Sequence, residues 1–423
     1  MVTYIYTHRK WLYNSFPLPD NSGVLIGDAE KMRYFAISHY AKLFLSLCKN
    51  GSNVINIINV MKKYRIGERE ILGFIQWAKN SGLLFIYPDV DPLKDLTTSF
   101  DQKLWGFELD TGSDRILRYY RLKDRIIKKN EDFGNGRVML TGGSGELGSL
   151  LTTHLLNLGY EVSILDTYDP GTRGVGLKVT IGDIRNKEAV RTAMHDCNTI
   201  IHLAGIKGGE FETIQADAWS INVDGTKVLY EVAKELDVEN VIFTSSIAVH
   251  SNEEGKIAPV DNYGFSKWVG EKITLSQFSH PFIFRIAQVV HQDILYRANL
   301  WEFSESQLVE YVDSTYVISI LSRAISSSRD KSGIYLLSGG QKWQKKGGEL
   351  ADLFHSALPG EKGRFTENSP LFLGWFNTRK TVEVFGENNF SIEEHCLGVR
   401  NELLKAYERT RVSKNEANIY KFN

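Results

Sequence analysis

The chain of 423 residues carries 50 lysines and arginines against 51 aspartates and glutamates, so its formal net charge at pH 7 is only -1. That balance gives no electrostatic case for nucleic acid or an anionic membrane as the main partner. Hydrophobic residues make up 42% of the chain, which is enough for packed cores, and the length predicts roughly two or three domains.

Residues 1–95 predict a small α+β domain. Apolar residues 23–27 and 32–37 flank a polar turn at 28–31 and predict a β-hairpin. Three segments with helical spacing follow, and a short strand closes the domain at 82–87. The helical segments are 39–49, one that begins at Ser52 or Asn53, and 68–80. This order of elements is typical of a winged-helix-like domain.

The rest of the chain divides into a connector and a larger α/β domain. Residues 96–135 are more polar and are interpreted as a linker that holds one helix, near 113–129. From residue 136 to 423, strands alternate with helices, which predicts a Rossmann-type, doubly wound parallel sheet. A small substrate-binding part is expected from about residue 286 onward. The predicted strands here include 138–141, 161–166, 199–204 and 240–245, and the first helix is 147–158.

A glycine-rich turn lies between the first strand and the first helix of this domain. Gly142, Gly145 and Gly148 stand where a side chain would block the approach of a pyrophosphate to the backbone. The following helix, which includes Glu146 and Leu147, would offer unpaired N–H groups and a positive dipole end. The alternative is an ordinary flexible turn.

Two aspartates are placed to select the nucleotide. Asp166 ends the second strand, where a carboxylate can accept both ribose hydroxyls of NAD and would repel a 2′-phosphate. Arg173 lies nearby, so binding of NADP remains open. Asp183 and Ile184 follow a third apolar segment, where the aspartate could meet the adenine amino group.

Four side chains predict acid/base chemistry at an alcohol carbon. Tyr263 and Lys267 are four residues apart and share one face of a predicted helix, so the ammonium can lower the pKa of the phenol. Such a phenol is a candidate acid and base for hydride transfer. Ser245 and Ser246 end a strand, where open α/β sheets bind ligands. The alternatives are a surface Tyr–Lys pair and strand-end serines.

The order of these motifs over 137–290 resembles the extended short-chain dehydrogenase/reductase family, and within it the NAD-dependent epimerase/dehydratase group, most closely the UDP-galactose 4-epimerases. The resemblance implies NAD as cofactor and makes Ser246, Tyr263 and Lys267 the catalytic residues. The implied cofactor-binding residues are Gly142, Gly145, Glu146, Leu147, Gly148, Asp166, Asp183, Ile184, Leu203, Ala204, Gly205, Lys207, Asn222, Ser245, Tyr263 and Lys267.

Three departures from that family concern the substrate side. His250 stands where the epimerases usually have tyrosine, and Asn262 stands where proline is usual. The segment after Arg285 lacks the expected asparagine and the glycine-rich sugar-nucleotide loop. These departures argue against a UDP-sugar substrate and leave the cofactor motifs intact.

Residues 20–88 resemble the RiPP recognition element, the peptide-binding domain of ribosomal-peptide tailoring systems, typified by the small chaperone of pyrroloquinoline quinone biosynthesis. The resemblance implies that a leader peptide adds a strand to an exposed sheet edge. A DNA-binding winged helix and a dimerisation domain are the alternatives. The predicted second and third helices carry few basic residues, chiefly Lys62, Lys63, Arg65 and Arg69, which disfavours DNA.

Joining both halves, we predict an NAD-dependent short-chain oxidoreductase that carries out a peptide modification on a substrate recruited through its leader. The alternative is a nucleotide-sugar epimerase or dehydratase with an accessory domain, and a third reading is a non-catalytic NAD-sensing protein. The sequence leaves a homodimer open, and neither nucleic acid nor a membrane is expected as partner.

Cysteine usage and hydropathy bear on the compartment. Cys48, Cys197 and Cys396 lie far apart without metal-ligand spacing, which fits a reducing compartment and predicts neither a disulfide scaffold nor a metal site. The N-terminus lacks the long apolar run of a signal peptide, and no stretch is long enough to span a bilayer. We therefore expect a cytoplasmic protein.

Overall fold

The computed structural model describes residues 4–7, 14–28, 33–49, 51–87, 102–109, 136–171, 173–211, 213–250, 257, 259, 261–291, 300–360, 363–367 and 374–419. The helix predicted near 113–129 lies outside these residues. None of the helices in the described ranges is both long enough and apolar enough to cross a membrane.

The N-terminal part contains the predicted hairpin, three helices and closing strand. Its strands are β1 (Tyr4–Thr7), β2 (Phe16–Pro17), β3 (Gly23–Asp28), β4 (Arg33–Ser38), β5 (Ser52–Asn53), β6 (Leu84–Tyr87) and β7 (Gly106–Glu108). Its helices are α1 (His39–Leu47), α2 (Val54–Lys62), α3 (Glu68–Asn80) and α4 (Gln102–Trp105). The hairpin β3–β4 is antiparallel, as predicted. Ser38 and Asn53 cap the first two helices, because each side chain accepts a hydrogen bond from a first-turn backbone N–H.

The larger domain is built on a seven-stranded parallel sheet in the order β10-β9-β8-β11-β12-β13-β18. Its strands are β8 (Arg137–Thr141), β9 (Glu161–Asp166), β10 (Leu177–Ile181), β11 (Thr199–His202), β12 (Asn240–Ser246), β13 (Phe282–Ile286), β14 (Val289–Val290), β15 (Leu300–Trp301), β16 (Leu308–Glu310), β17 (Val312–Asp313), β18 (Gly333–Leu337), β19 (Gln344–Lys346) and β20 (Arg364–Phe365). The strand order reverses between β8 and β11, and ligands bind at the carboxyl ends of the strands beside such a reversal.

Some helices of this domain flank the sheet, and others belong to the C-terminal part of the domain. They are α5 (Glu146–Asn157), α6 (Lys187–Met194), α7 (Gly208–Phe211), α8 (Gln215–Trp219), α9 (Gly225–Glu235), α10 (Asn262–Gln277), α11 (Ser314–Ile325), α12 (Gly347–Ala357), α13 (Arg379–Phe385) and α14 (Ile392–Ile419). A π-helical turn, Ser220–Asp224, runs directly into α9. The Rossmann-like fold predicted from the sequence is confirmed.

The structure extends the N-terminal part beyond the boundary expected at residue 95. Trp105 is fully buried and stacks on Phe74, with 4.2 Å between the ring centroids. The strand after it, β7, pairs antiparallel with β4. Gly106 has φ +138°, and a Cβ there would lie 2.3 Å from the carbonyl oxygen of Ala36, so glycine is required. This segment was expected to belong to the linker, because a single tryptophan in a polar stretch gives no periodic signal.

The sheet β2-β3-β4-β7 has two buried faces. On one face Ile26 and Phe35 pack with the N-terminal helices. On the other face Leu25 and Tyr34 share a core with α12 and α14 of the C-terminal part. Successive residues of a strand point to opposite faces, so the continuous apolar pattern of β3 and β4 follows from burial on both sides. The sheet therefore joins the N-terminal part to the C-terminal part.

Candidate active site

The glycine turn is shaped by close backbone contacts. Gly142 has φ +72°, and a Cβ there would lie 3.0 Å from the Cα of Ala204. A Cβ on Gly148 would lie 2.1 Å from the carbonyl oxygen of Gly142. The turn therefore requires glycine at both positions, and it leaves the N-terminus of α5 open for an anionic group.

Asp166 lies at the carboxyl end of β9, beside the turn. Its Oδ2 accepts a hydrogen bond from the Ser144 backbone N–H (2.9 Å), and its Oδ1 accepts one from Tyr168 (3.1 Å). Burial raises the pKa of this carboxyl, and the backbone donors oppose that rise. The contacts hold the carboxylate next to the turn, where a cofactor ribose was predicted.

The second predicted aspartate is engaged by a neighbouring cation. Asp183 accepts hydrogen bonds from Arg185, with 2.6 Å between Oδ2 and Nη2, and these bonds hold the pKa of the carboxyl below its usual value. Arg185 also contacts Asp217 at 3.1 Å. The contact of Asp183 with adenine remains a prediction. Ile184 beside it is buried against Gly225, where a Cβ would lie 2.5 Å from the isoleucine Cγ2.

The Asn222 side chain is hydrogen-bonded to the loop that follows β11. Its Oδ1 accepts from the Ile206 N–H (2.7 Å), and its Nδ2 donates to the Ile206 carbonyl (3.0 Å) and to Ser266 Oγ (3.1 Å). The carboxamide therefore fixes the loop that carries Gly205 and Lys207. Lys207 Nζ lies 3.5 Å from Glu146 Oε2, so an ion pair links this loop to the start of α5.

The predicted catalytic residues meet where β12 ends and α10 begins. Asp261 caps α10 by accepting from the Gly264 N–H (2.6 Å), which places Tyr263 in the first turn and Lys267 one turn later. Ser246 at the end of β12 lines the same cleft as Tyr263. Burial raises the pKa of the Tyr263 phenol, and the nearby Ser246 hydroxyl opposes the rise. The serine and the phenol can thus contact one reacting oxygen.

Lys267 is buried next to the phenol. Its Nζ donates to the Thr244 carbonyl (3.0 Å) and lies 6.0 Å from the centroid of the Tyr263 ring. Burial lowers the pKa of the Lys267 ammonium to about 8, and the nearby Glu271 opposes that shift. The ammonium is therefore the main form at pH 7 and supplies a positive charge where a phenolate would develop.

We expect Lys267→Met to remove activity without lowering the free energy of unfolding at pH 7. Folding lowers the pKa of Lys267 from 10.5 to about 8, so the protonated side chain favours the unfolded state. That penalty is full below about pH 8 and disappears as the pH rises toward 10.5. Urea unfolding at pH 7 should show Lys267→Met to be as stable as the wild type or up to roughly 3 kcal/mol more stable. The difference should shrink by pH 10, and a large loss of stability at pH 7 would contradict the argument.

A buried ion pair behind these residues was not found from the sequence. Glu271 accepts from Arg285 through two bonds (2.7 and 2.8 Å) and from Ser245 Oγ (2.6 Å). Ser245, predicted to bind the cofactor, therefore directs its hydroxyl to Glu271. The missed signal was Glu271, a carboxylate one turn after Lys267 on α10. Arg285 Nη1 also lies 3.3 Å from His250 Nε2.

These elements surround a cleft of about 1280 Å³. Every predicted site residue except Asn222 lies along it, so the structure brings together the turn, both aspartates and the predicted catalytic residues. Further lining residues that the sequence analysis did not assign to the site include Tyr168, Ile206, Thr244, His250, Gln288, His291, Glu302 and Thr366. The last four extend the cleft toward the C-terminal part, where a substrate was expected.

Comparison with known proteins places this site in a family context. Residues 138–287 match the NAD dependent epimerase/dehydratase family. The chain is 35% identical over 130 residues to a UDP-glucose 4-epimerase of Klebsiella pneumoniae, covering 28% of this chain and 94% of that protein. It is 38% identical over 120 residues to a 3-beta-hydroxysteroid dehydrogenase of Mycolicibacterium neoaurum, covering 27% of this chain and 33% of that protein. Apart from the Klebsiella protein, the chain spans about a third to a half of the length of the curated relatives compared.

Solved structures share the fold over 64% of this chain. MoeE5 in complex with UDP-glucuronic acid and NAD has a TM-score of 0.57 and 19% identity, covering 64% of this chain and 100% of that one. UDP-glucose 4-epimerase from Bifidobacterium longum in complex with NAD+ and UDP has a TM-score of 0.54 and 20% identity, covering 64% of this chain and 98% of that one. At this identity the likeness establishes the fold.

Proposed function

Because the chain belongs to the NAD-dependent epimerase/dehydratase family, we propose that it is an NAD-dependent enzyme that oxidises and reduces an alcohol carbon of a nucleotide-linked sugar. The observation that carries this proposal is the meeting of Ser246, Tyr263 and Lys267 in one cleft with the glycine turn and Asp166. The substrate class rests on the relatives, several of which are UDP-glucose 4-epimerases.

The residues of the turn fit NAD. Glycine at position 148 lets the Gly142 carbonyl pack against the start of α5, and a pyrophosphate can approach the backbone N–H groups at that helix terminus. Asp166 offers a carboxylate for ribose hydroxyls, and Lys207 offers a cation on the opposite side of the turn. When bound, the nicotinamide ring supplies the reversible hydride acceptor.

Side chains of the protein transfer the hydroxyl proton of the alcohol. Tyr263 removes the hydroxyl proton as the carbon is oxidised and returns it when the carbonyl is reduced. Ser246 donates to the reacting oxygen, and Lys267 stabilises the phenolate. If the hydride returns to the opposite face of the carbonyl, the result is epimerisation without net redox change. Burial keeps water from the phenol and strengthens the influence of the ammonium.

We expect the cofactor site to prefer NADH over NADPH by at least tenfold. The Asp166 carboxylate would repel a 2′-phosphate and accept from the ribose hydroxyls. Calorimetric titration of both cofactors should give this ratio, and Asp166→Ser should narrow it chiefly by improving NADPH binding. Asp330→Ser is the matched control, because that exposed carboxylate lies in the turn before β18, at the opposite edge of the sheet from the glycine turn. Tighter binding of NADPH than NADH by the wild type would refute the role of Asp166.

The substrate class has a direct test. The purified chain should interconvert UDP-glucose and UDP-galactose, or release water from one of them, with no added cofactor beyond catalytic NAD. Proton NMR of the sugar anomeric signals would follow either reaction. If the chain binds NADH but converts neither UDP-glucose nor UDP-galactose, the proposed substrate class is wrong. The assignment of NAD as cofactor would still stand.

A second candidate is the leader-guided tailoring of a ribosomally made peptide. The N-terminal hairpin and three helices favour it, because they lie outside residues 138–287, which match the family. Delivery by a leader would raise the effective concentration of a weakly bound core peptide. However, the β4 edge of the four-stranded sheet is paired with the chain's own β7. Within the described ranges β6 is the outer strand of the sheet β5-β1-β6, and a leader strand would add beside it.

Leader binding at β6 should be measurable by fluorescence anisotropy with the full chain. Short peptides encoded beside its gene should bind saturably, and Phe85→Glu on β6 should weaken binding at least tenfold. Ile55→Glu is the matched control, because Ile55 is also an exposed apolar residue of the N-terminal part and lies on α2. The absence of saturable binding by every such peptide would remove the leader-guided proposal.

A further inference from the structure

Residues 358–360, which follow α12, are held by the N-terminal part of the chain. The Asn14 N–H donates to the Gly360 carbonyl at 3.2 Å, and the Gly360 N–H donates to the Asn14 carbonyl at 3.0 Å. The Asn14 side chain also donates from Nδ2 to two carbonyls at the end of α12, one of them that of Leu358 at 3.0 Å. Gly360 has φ +129°, and a Cβ there would lie 3.1 Å from the carbonyl oxygen of Gly27 on β3. The N-terminal part therefore fixes the backbone of this segment.

The same segment leads into a strand that borders the cleft. The strand β20 follows it in the chain and pairs with β15. The Thr366 N–H donates to the carbonyls of Trp301 (3.0 Å) and Phe303 (3.2 Å), and its Oγ1 donates to the Trp301 carbonyl (2.8 Å). Glu302 stands between these two aromatic residues, and both Glu302 and Thr366 line the cleft. The pairing of β15 with β20 therefore determines where these two side chains stand at the substrate end.

The hairpin β3–β4 supports the same site from behind. Trp301 is 4% exposed and Phe303 is fully buried, and both rings belong to the core that Leu25 of the hairpin shares with α12 and α14. Glu302 between them is exposed. The two rings thus anchor β15 in a core that the N-terminal part completes. The neighbours of a truncated core residue relax into the space that it leaves, so a change at Leu25 can reach Glu302.

We propose that the N-terminal part is a component of the substrate-binding site, with Asn14 and Leu25 as positioning residues for Glu302 and Thr366. Neither positioning residue lines the cleft, because Asn14 acts through the backbone of residues 358–360 and Leu25 acts through the core behind β15. A carboxylate and a hydroxyl at the substrate end can hydrogen-bond the hydroxyl groups of a sugar. The inference rests on the proposed function for the identity of the substrate, a nucleotide-linked sugar. The cofactor end is built on β8, β9 and α5, so NADH should bind independently of these contacts.

The first experiment measures the coupling without turnover. Amide hydrogen exchange of the full chain follows the Thr366 N–H, whose acceptors are the Trp301 and Phe303 carbonyls. Asn14→Ala should exchange this hydrogen about tenfold faster than the wild type, because the side-chain bonds that hold the end of α12 are lost. Protection of β11 in the parallel sheet should stay unchanged in the same variant, which would exclude global unfolding as the cause.

Asn53→Ala is the matched control for this measurement. The Asn53 side chain is also bonded to the backbone, accepting from the Ile55 N–H at 2.8 Å, but that bond lies within the N-terminal part. The control should leave exchange at Thr366 unchanged. Unchanged exchange in Asn14→Ala, or an equal rise in both variants, would overturn the proposal.

The second experiment uses two neighbouring residues of β3 that face opposite sides of its sheet. Both are buried, but Leu25 packs in the core shared with α12 and α14, whereas Ile26 packs with the N-terminal helices. In Leu25→Ala we expect KM for UDP-galactose to rise about tenfold, with a smaller change in kcat and the same affinity for NADH, because the sugar is held less well away from the acid/base residues. Ile26→Ala should lower stability by a similar amount and leave KM within about twofold of the wild type. Equal KM values in the two variants would overturn the proposal.

The two experiments also separate this proposal from the proposed function. A wild type that turns over neither UDP-glucose nor UDP-galactose would contradict the proposed function. The exchange of the Thr366 N–H in Asn14→Ala and Asn53→Ala would still decide whether the N-terminal part holds this end of the cleft.

Discussion

Tyr263→Phe should lower kcat/KM by about 10²–10⁴-fold, the range for loss of one general acid/base. The phenol is the group that accepts and returns the proton of the alcohol, and phenylalanine cannot exchange a proton. The ring itself would remain, so we expect NADH affinity to change less than threefold. Steady-state kinetics with UDP-galactose and titration of NADH fluorescence measure the two quantities separately.

A matched control for this variant is Tyr230→Phe. Tyr230 is also a buried tyrosine of the same domain, and its hydroxyl is hydrogen-bonded to Thr274 Oγ1 at 2.9 Å, away from the residues that line the cleft. Its loss should cost about 1 kcal/mol of stability and leave kcat/KM unchanged. If Tyr263→Phe kept full function in every assay, the non-catalytic NAD-sensing reading would replace the enzymatic one.

Trp105→Ala should lower the free energy of unfolding by about 3–5 kcal/mol, as expected for truncating a buried aromatic residue. The indole is fully buried, stacks on Phe74 and meets the edge of Phe44 at 5.9 Å between centroids. It also anchors β7 on β4, so the variant should lose protection of that pairing. Urea unfolding and amide hydrogen exchange would measure the two effects.

Ile55→Ala provides the comparison for the tryptophan variant. Ile55 lies on α2 in the same N-terminal part and is 65% exposed, so its truncation should change stability by less than about 0.5 kcal/mol. A loss below 1 kcal/mol for Trp105→Ala would mean that residues 102–109 contribute little to this core. The N-terminal folding unit would then end near residue 95, as predicted, although residues 102–109 pack against it.

Local sequence was sufficient for the cofactor half of the site. The glycine turn, Asp166 and the Tyr263–Lys267 pair each depend on spacing within one or two elements. Parallel strands bring their carboxyl ends to one edge of a sheet, so the order of the motifs along the chain already implied that they meet. The hairpin and the three N-terminal helices were predictable for the same reason, from periodicity and capping residues.

Contacts between distant elements, and the pKa values that depend on burial, could not be predicted from motif spacing. Glu271 and Arg285 belong to different elements, and only the packing of α10 against β12 and β13 brings them together and places His250 at their side. The lowered pKa of Lys267 depends on burial, which a motif does not specify. Motif spacing thus determined which chemistry the chain can carry.

Tertiary structure alone decided how the N-terminal part is attached. Strands β3 and β4 read as one hairpin, and their unbroken apolar pattern does not say what covers the second face. In the folded chain that face shares a core with α12 and α14, and β7 pairs with the free edge of the hairpin at β4. Sequence determined the hairpin because its pairing is local. Its partners lie more than 300 residues away in the chain, and their contact depends on shape and burial, which appear only after folding.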